Sequence, residues 1–284
     1  MMKFKIITIV ALVVFISLTA SKRNNKYEKN PKGMSFCPQG SFEMDRISNG
    51  DTIKSTVHLR SFWMSDEISN KEFRVFYDYL KTNPNKSIEY VDLNPLAGKN
   101  ISNINNDSAQ PTIVKIPHQD LFANHISTDV FKNDADKENY FLDSKFDNYP
   151  AVGMSKKAAM AYCIWKTKTE NDKLTEKGKP HIMSYRLPTE AEWEYVNSQG
   201  VVKKHKKITS ELHPINEGVL NGFGFYNLTG NISEWVLNLA EINGENHNIA
   251  KGNSWCNSDL RQVVPLDTKS KEIGFRIVRD YIGN

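Results

Sequence analysis

Cysteine, clustered histidine and long apolar runs are all scarce in this sequence, and each shortage excludes something. Only three of the 284 residues are cysteine, namely Cys37, Cys163 and Cys256, so at most one disulfide can form and one thiol must be left over. The seven histidines, at 58, 118, 125, 181, 205, 213 and 247, show no close metal-ligand spacing. The one long apolar stretch, Ile6 to Leu18, falls short of the roughly 20 residues that a membrane-spanning helix needs. Charge of one sign is also lacking, for the formal net charge is only +4. The densest basic run, Lys203-Lys204-His205-Lys206-Lys207, contains no aromatic residue and lies in no nucleic-acid motif. It reads as a solvated loop, and no nucleic-acid partner is expected.

What is present describes a folded, exported chain. With 39% hydrophobic and 25% charged residues the protein can bury a full core. Eleven prolines, fifteen glycines and 11% aromatics indicate many turns around aromatic packing and argue against a helical bundle. Lys3 and Lys5, the apolar stretch and then Thr19-Ala20-Ser21 have the form of a signal peptide over residues 1–20. An uncleaved anchor, associating with the membrane through this segment, is the alternative. Ser21 stands where a lipoprotein box would place its lipid-bearing cysteine. A polar linker over residues 21–32 then leads into one domain over 33–284. Export exposes the thiols to an oxidising compartment. Cys163 falls in a helical pattern and reads as a buried small hydrophobe, which leaves Cys37 with Cys256 as the pair to test for a bond.

Local signals place several elements. Met34 to Met44 reads as strand, turn and strand, and Val57 to Met64 as a further strand. Ser69 with Glu72 has capping-box spacing, and Phe73, Phe76, Tyr77 and Leu80 follow on one helical face. Asn83 to about Asn139, rich in Asn, Asp, Ser and Pro, reads as a long irregular excursion. A second helix is expected from about Lys156 to Lys168, its face formed by Ala158, Ala161, Tyr162 and Trp165. Thr189 and Glu192 form a second capping box, with Pro188 ahead of it, so a short third helix begins at about Glu190.

Six segments recur in fixed order in one family. Phe62-Trp63-Met64-Ser65-Asp66-Glu67-Ile68-Ser69-Asn70 resembles the family's FYMDETEVTN element, and Tyr149 to Trp165 its YPVVGVSWEDAxAYCxW element. Tyr185 to Tyr195 is similar to YRLPTEAEWEY throughout, and Asn221 to Trp235 resembles NxxGLYDMxGNVWEW. Lys251 to Trp255 stands for RGGSW, and Gly274 to Arg279 for GFRxVR. The family is that of the sulfatase-modifying factors, whose best-known member is the formylglycine-generating enzyme. Within it, Phe62 to Phe73, Phe146 to Pro150 and Trp165-Lys166-Thr167-Lys168 look most like the gliding-motility and type IX secretion lipoproteins of the Bacteroidota.

The resemblance implies an irregular α+β fold related to C-type lectins, with few helices and long loops. The family enzyme oxidises a substrate cysteine using copper held by two thiolates, and soft Cu(I) requires such ligands. The matching positions here are Asn257 and Gln262, so no copper and no enzymatic activity are expected. The family's turn, which binds calcium through an Asn, two backbone carbonyls and a Glu, maps onto Asn227, Gly230, Ile232 and Glu234, which implies a structural calcium site; a merely hydrogen-bonded turn is the alternative. Trp193, Trp235 and Trp255 are expected in the core, and Arg276 is expected to pair with a carboxylate such as Glu190 or Glu194. Three functions follow in order. The first is a non-catalytic scaffold with protein partners in the cell envelope, periplasmic, associated with the outer membrane or extracellular. The second is a lectin-like module binding glycan or peptide through the 83–139 excursion, favoured by an exposed aromatic cluster around Tyr90, Phe122 or Phe131. The third is a diverged oxidoreductase using Cys256 with Cys37.

Overall fold

The structure is a computed structural model that describes residues 30–48, 51–92, 112–204 and 211–282. The expected signal peptide and most of the linker therefore lie outside the described residues. Strand β1 (Met34–Cys37) is followed by a hairpin of β2 (Gly40–Ser48) and β3 (Asp51–Leu59), then by β4 (Phe62–Ser65). The single strand expected over 57–64 is thus two strands in different sheets. Ser41, Glu43 and Asp45 on β2 are exposed in alternation with half-buried Phe42 and Met44, as in a hairpin with one wet face. All four residues of β4 are buried, as in a central strand covered on both sides.

Helix α1 (Asn70–Thr82) carries the expected capping box, with Ser69 Oγ accepting from Glu72 N and Ser69 N donating to Glu72 Oε2. Its buried face is Phe73, Phe76 and Leu80. The excursion beyond it is more ordered than its composition indicates. Strands β5 (Ser87–Asp92) and β6 (Thr112–Pro117) pair antiparallel and lead into α2 (His118–Asn124). The alternating apolar residues of SIEYVD and TIVKIP carry this pairing, while the polar stretch that hides it, 93–111, lies outside the described residues. Farther on, turns fold around Phe131, Tyr140 and Phe141, all buried.

Helix α3 (Lys156–Glu176) runs two turns past the expected end. Its last turns have no continuous apolar face and are held by pairs such as Lys168–Asp172 at i,i+4, so hydrophobic periodicity could not reveal them. After β7 (Tyr185–Arg186), α4 (Glu190–Asn197) opens on the expected Thr189–Glu192 capping box. Strand β8 (Val201–Lys204) contains Lys203 and Lys204, so the basic run begins in a strand, not a loop; residues 205–210 lie outside the described residues. The remaining strands are β9 (Val219–Asn221), β10 (Ser233–Ile242), β11 (Glu245–Lys251), β12 (Arg261–Val264), β13 (Ile273–Gly274) and β14 (Val278–Asp280).

Two four-stranded sheets organise these pieces. One, in the order β1-β4-β14-β7, ties the chain's last strand to β4 and β7; the other runs β12-β11-β10-β13. The chain crosses between the sheets at Phe275-Arg276-Ile277, all buried, and this crossing sets Arg276 between β4 and β10. Gly274 has to be glycine there, because a Cβ would come within 2.4 Å of the Ala151 carbonyl oxygen.

Candidate functional site

The segment after β9 delivers the polar groups of the interior. Asn227 and Asn231 both have left-handed backbones (φ 59° and 60°), and Gly230 has φ 106°. Asparagine tolerates that region better than other residues with a Cβ, so the two amide side chains can be presented from one tight turn. Both Nδ2 atoms donate to Glu67, at 3.1 Å to Oε2 from each. Glu67 lies two residues past the end of β4 and is 1% exposed. Burial holds its pKa well above the usual carboxylate range, and the charge of Glu234 adds to this, against the opposing effects of Arg276 and the two amides.

Glu234, near the start of β10, is locked to Arg276. Arg276 Nε donates to Oε2 at 2.7 Å and Nη2 to Oε1 at 2.6 Å, the bidentate fork that only a guanidinium provides. Trp193 Nε1 donates to Oε2 at 2.8 Å. Nη1 also donates to the carbonyl of Ser65 at 3.0 Å and Nη2 to that of Tyr226 at 3.1 Å. Burial works against the Arg276 cation, but Glu234 outweighs it and raises the pKa, so the guanidinium stays charged.

The expected pairing of Arg276 with Glu190 or Glu194 is therefore corrected. Helix α4 turns Trp193 inward toward the pair, and its Glu190 and Glu194 meet Lys251 and Arg261 instead. Glu67 and Asn231 escaped the sequence-based site. Their signal was available: a carboxylate squeezed between a wholly buried strand and a capped helix, and a second asparagine in the same turn.

Of the four residues matched to the calcium turn, Asn227 and Glu234 do reach this centre. Asn227 Nδ2 is committed to Glu67, its Oδ1 lies 3.3 Å from His213 Nε2, and both Glu234 oxygens are taken. Gly230 and Ile232 are matched through their backbone carbonyls; Gly230 also supplies the bend, and the Ile232 side chain packs in an apolar cluster with Phe131 and Tyr140. A cation would have to compete with the Arg276 guanidinium for its only matched carboxylate, so Glu234 as arranged is not free to ligate calcium.

The corner where the family's copper chemistry would sit lies beyond β11. Gln262 Nε2 donates to Ser233 Oγ at 2.8 Å, and Asn257 N donates to Ser254 Oγ at 3.0 Å. Cys256 is exposed, with Sγ 3.4 Å from Glu272 Oε2. Its pKa is raised, first by partial burial and then by the Glu272 charge, which is the reverse of what activates a thiolate. All three cysteines are free. Cys37 lies fully buried in a cluster with Phe62, Met64 and Trp193 whereas Cys256 is at the surface, so the Cys37–Cys256 pairing does not form. Cys163 is buried on α3, as its helical pattern indicates.

Two other expectations change. Trp193 and Trp235 are core residues, but Trp255 is only half-buried, its ring 6.2 Å from Phe131 and covered by Lys271. The excursion shows no exposed aromatic cluster at the residues considered. Phe131 is buried and Phe122 packs on Tyr77 at 5.1 Å, while the Tyr90 side chain lies outside the described residues.

Small sheets and few helices closed around a buried arginine–carboxylate pair, with a lone thiol near the copper corner, define an irregular α+β fold of the formylglycine-generating-enzyme type. The sulfatase-modifying factor enzyme 1-like domain matches residues 19–217 and 202–281, and the chain belongs to that family. The solved structure of CarF is similar, with a TM-score of 0.53 and 15% identity over 89% of this chain and all of that one. Among curated proteins, inactive C-alpha-formylglycine-generating enzyme 2 of Bos taurus is 26% identical over 165 residues, 45% of this chain and 49% of the relative. Its counterpart in Mus musculus is 26% identical over 164 residues, again 45% of this chain and 48% of the relative. The chain thus aligns with about half the length of the curated relatives it matches.

Proposed function

We propose that this protein is a non-catalytic member of its family, exported to the cell envelope, where the domain acts as a scaffold for protein partners in a gliding-motility or type IX secretion assembly. The observation that carries the non-catalytic part is the substitution of amides for thiolates. Asn257 and Gln262 stand at the copper-ligand positions; the Asn257 side-chain oxygen accepts from the Asp259 N–H, and the Gln262 amide donates to Ser233. A single cysteine with a raised pKa cannot supply the two soft ligands that Cu(I) requires. The names of the two curated relatives, which call those proteins inactive, agree with this reading.

The scaffold part draws on the motif-level resemblance of Phe62 to Phe73, Phe146 to Pro150 and Trp165 to Lys168, together with the form of the N-terminus. Removal of residues 1–20 or their retention as an anchor would both leave the domain outside the cytoplasm. The test is affinity purification of the tagged full chain from its own envelope after cross-linking, with mass spectrometry of the partners and of the mature N-terminus. Reproducible recovery of motility or secretion components is expected. Recovery of the chain alone, released from the envelope with a free N-terminus at Ser21, would refute the scaffold reading.

A further inference from the structure

The β2–β3 hairpin stands off the body of the domain and leaves a cleft of about 940 Å³ beside it. Four consecutive residues of β2, Phe42 to Asp45, line this cleft. Successive strand residues point to opposite faces, so a cleft that touches all four reaches the outer edge of β2, and Lys54 of β3, the register partner of Asp45, also lines it. That edge is open, because β2 pairs only with β3 among the described residues. The register closes on Ser48↔Asp51 across a two-residue connection, which makes every second pair back from it hydrogen-bonded. The N–H and C=O groups of Glu43 and Asp45 therefore point away from β3, into the cleft.

The opposite wall is one face of α4, formed by Glu190, Ala191, Glu194, Asn197 and Ser198, and Lys251 and Arg261 add to the lining. The hairpin cannot simply collapse onto that wall. Its foot is pinned where Tyr195 Oη donates to the Pro38 carbonyl at 3.1 Å, and the Tyr195 ring lies 5.8 Å from Phe42. A Cβ on Gly40 would come within 2.3 Å of the Tyr195 oxygen, so the contact at the foot is already tight.

Charge distinguishes the two walls. Glu190 and Glu194 are neutralised by Lys251 and Arg261. Glu43 and Asp45 are exposed on one face of β2 and form no ion pair within 4 Å among the described residues; Thr56 stands across from Glu43 and Lys54 across from Asp45, while Phe42 and Met44 on the other face are half-buried. We propose that the free edge of β2 receives an extended segment of a partner protein as an added strand, with lysine or arginine alternating with apolar residues. Its backbone pairs with the outward groups of Glu43 and Asp45, its cations lie across from those carboxylates, and its apolar side chains extend the Phe42–Met44 face. The cleft lies on the Arg261 side of β12, whereas Gln262 next along points to the other face, so it is separate from the copper corner.

This inference rests on the scaffold reading, and it fixes where the scaffold grips and what it grips. The test uses the full chain and a fluorescein-labelled peptide, Lys-Val-Lys-Val-Lys-Val-Lys, followed by fluorescence anisotropy. The controls are the same peptide with glutamate for lysine and one N-methylated along a single edge. Saturable binding is expected for the basic peptide, at least tenfold tighter than for either control, with slowed hydrogen exchange at the Glu43 and Asp45 amides. The double substitution Glu43→Lys with Asp45→Lys, at exposed positions, should lower the melting temperature by no more than a few degrees, the cost of a lysine opposite Lys54, and reverse the preference between the basic and acidic peptides. Absence of saturable binding, equal binding of the N-methylated peptide, or an unchanged preference in the double variant would overturn the proposal. In the envelope purification, undiminished partner recovery by the double variant would sink the cleft alone. Recovery of no partner by the unsubstituted chain would sink the scaffold reading, whatever the peptides do.

Discussion

Replacing Arg276 by methionine removes the cation but keeps most of the side-chain volume, and the consequence can be worked from its contacts. Glu234, 1% exposed, would be left as a buried carboxylate with only the Trp193 indole as donor. Breaking a buried pair from one side typically costs about 3–5 kcal/mol. The carbonyls of Ser65 and Tyr226 also lose their donor, at about 1 kcal/mol each, partly overlapping with the first term. The sum, about 4–6 kcal/mol, is a large part of the roughly 5–15 kcal/mol by which domains are stable. Urea unfolding followed by tryptophan fluorescence should show it, together with a melting point lowered by roughly 10–20 °C. Arg276→Lys should recover little, because a single ammonium cannot make the fork. Adding Glu234→Gln to the methionine variant should restore about 1–3 kcal/mol by removing the stranded charge. By contrast, Lys168→Ala, which breaks a pair with side chains 72% and 59% exposed, should cost less than about 0.5 kcal/mol. A loss below about 1.5 kcal/mol in Arg276→Met, or no recovery in the double variant, would refute the reasoning.

Three further outcomes are expected. Glu67 keeps its proton to higher pH when folded than when unfolded, so its contribution to stability is greatest below about pH 4.5 and declines as pH rises through the folded pKa. Urea unfolding over a pH series should show the unsubstituted chain losing up to about 1.4 kcal/mol per pH unit relative to Glu67→Gln within that window, and parallel profiles would contradict it. Gly274→Ala places a methyl 2.4 Å from the Ala151 carbonyl and 2.6 Å from Ile232 Cδ1, and calorimetry should show a loss of about 1–3 kcal/mol. Because Arg276 occupies the Glu234 carboxylate, millimolar calcium or a chelator should move the melting point by less than about one degree; a rise of several degrees would mean that calcium displaces the guanidinium.

How much of this was legible in the sequence depended on how local the determining interaction is. Both capping boxes join residues three apart, and both appear as read. The end of α3 was not legible because its last turns are polar and held by ion pairs, which leave no hydrophobic rhythm. The β5–β6 hairpin was lost in the polar stretch that separates its strands, although each strand alternates clearly. The partner of Arg276 could not be read because Glu234 lies 42 positions away, and the choice among Glu190, Glu194 and Glu234 is made by the crossing between the two sheets. The turn at Asn227 to Glu234 was found only through the family resemblance. Even so, its chemistry depends on Glu67, 160 residues before Asn227, which no local pattern could link to it. The absence of a thiolate pair at 257 and 262, by contrast, needed no structure.

The central claim is that this domain has given up its family's chemistry, and one measurement tests it most directly. The purified full chain, reduced and then loaded with Cu(I), is incubated in air with a cysteine-containing peptide, and aldehyde is trapped with an aminooxy probe. No aldehyde above the copper-only control is predicted, with or without Cys256→Ser. Aldehyde formation that requires the protein and disappears in Cys256→Ser would contradict the account, because it would show that one thiolate and the neighbouring Glu272 suffice to hold a working metal.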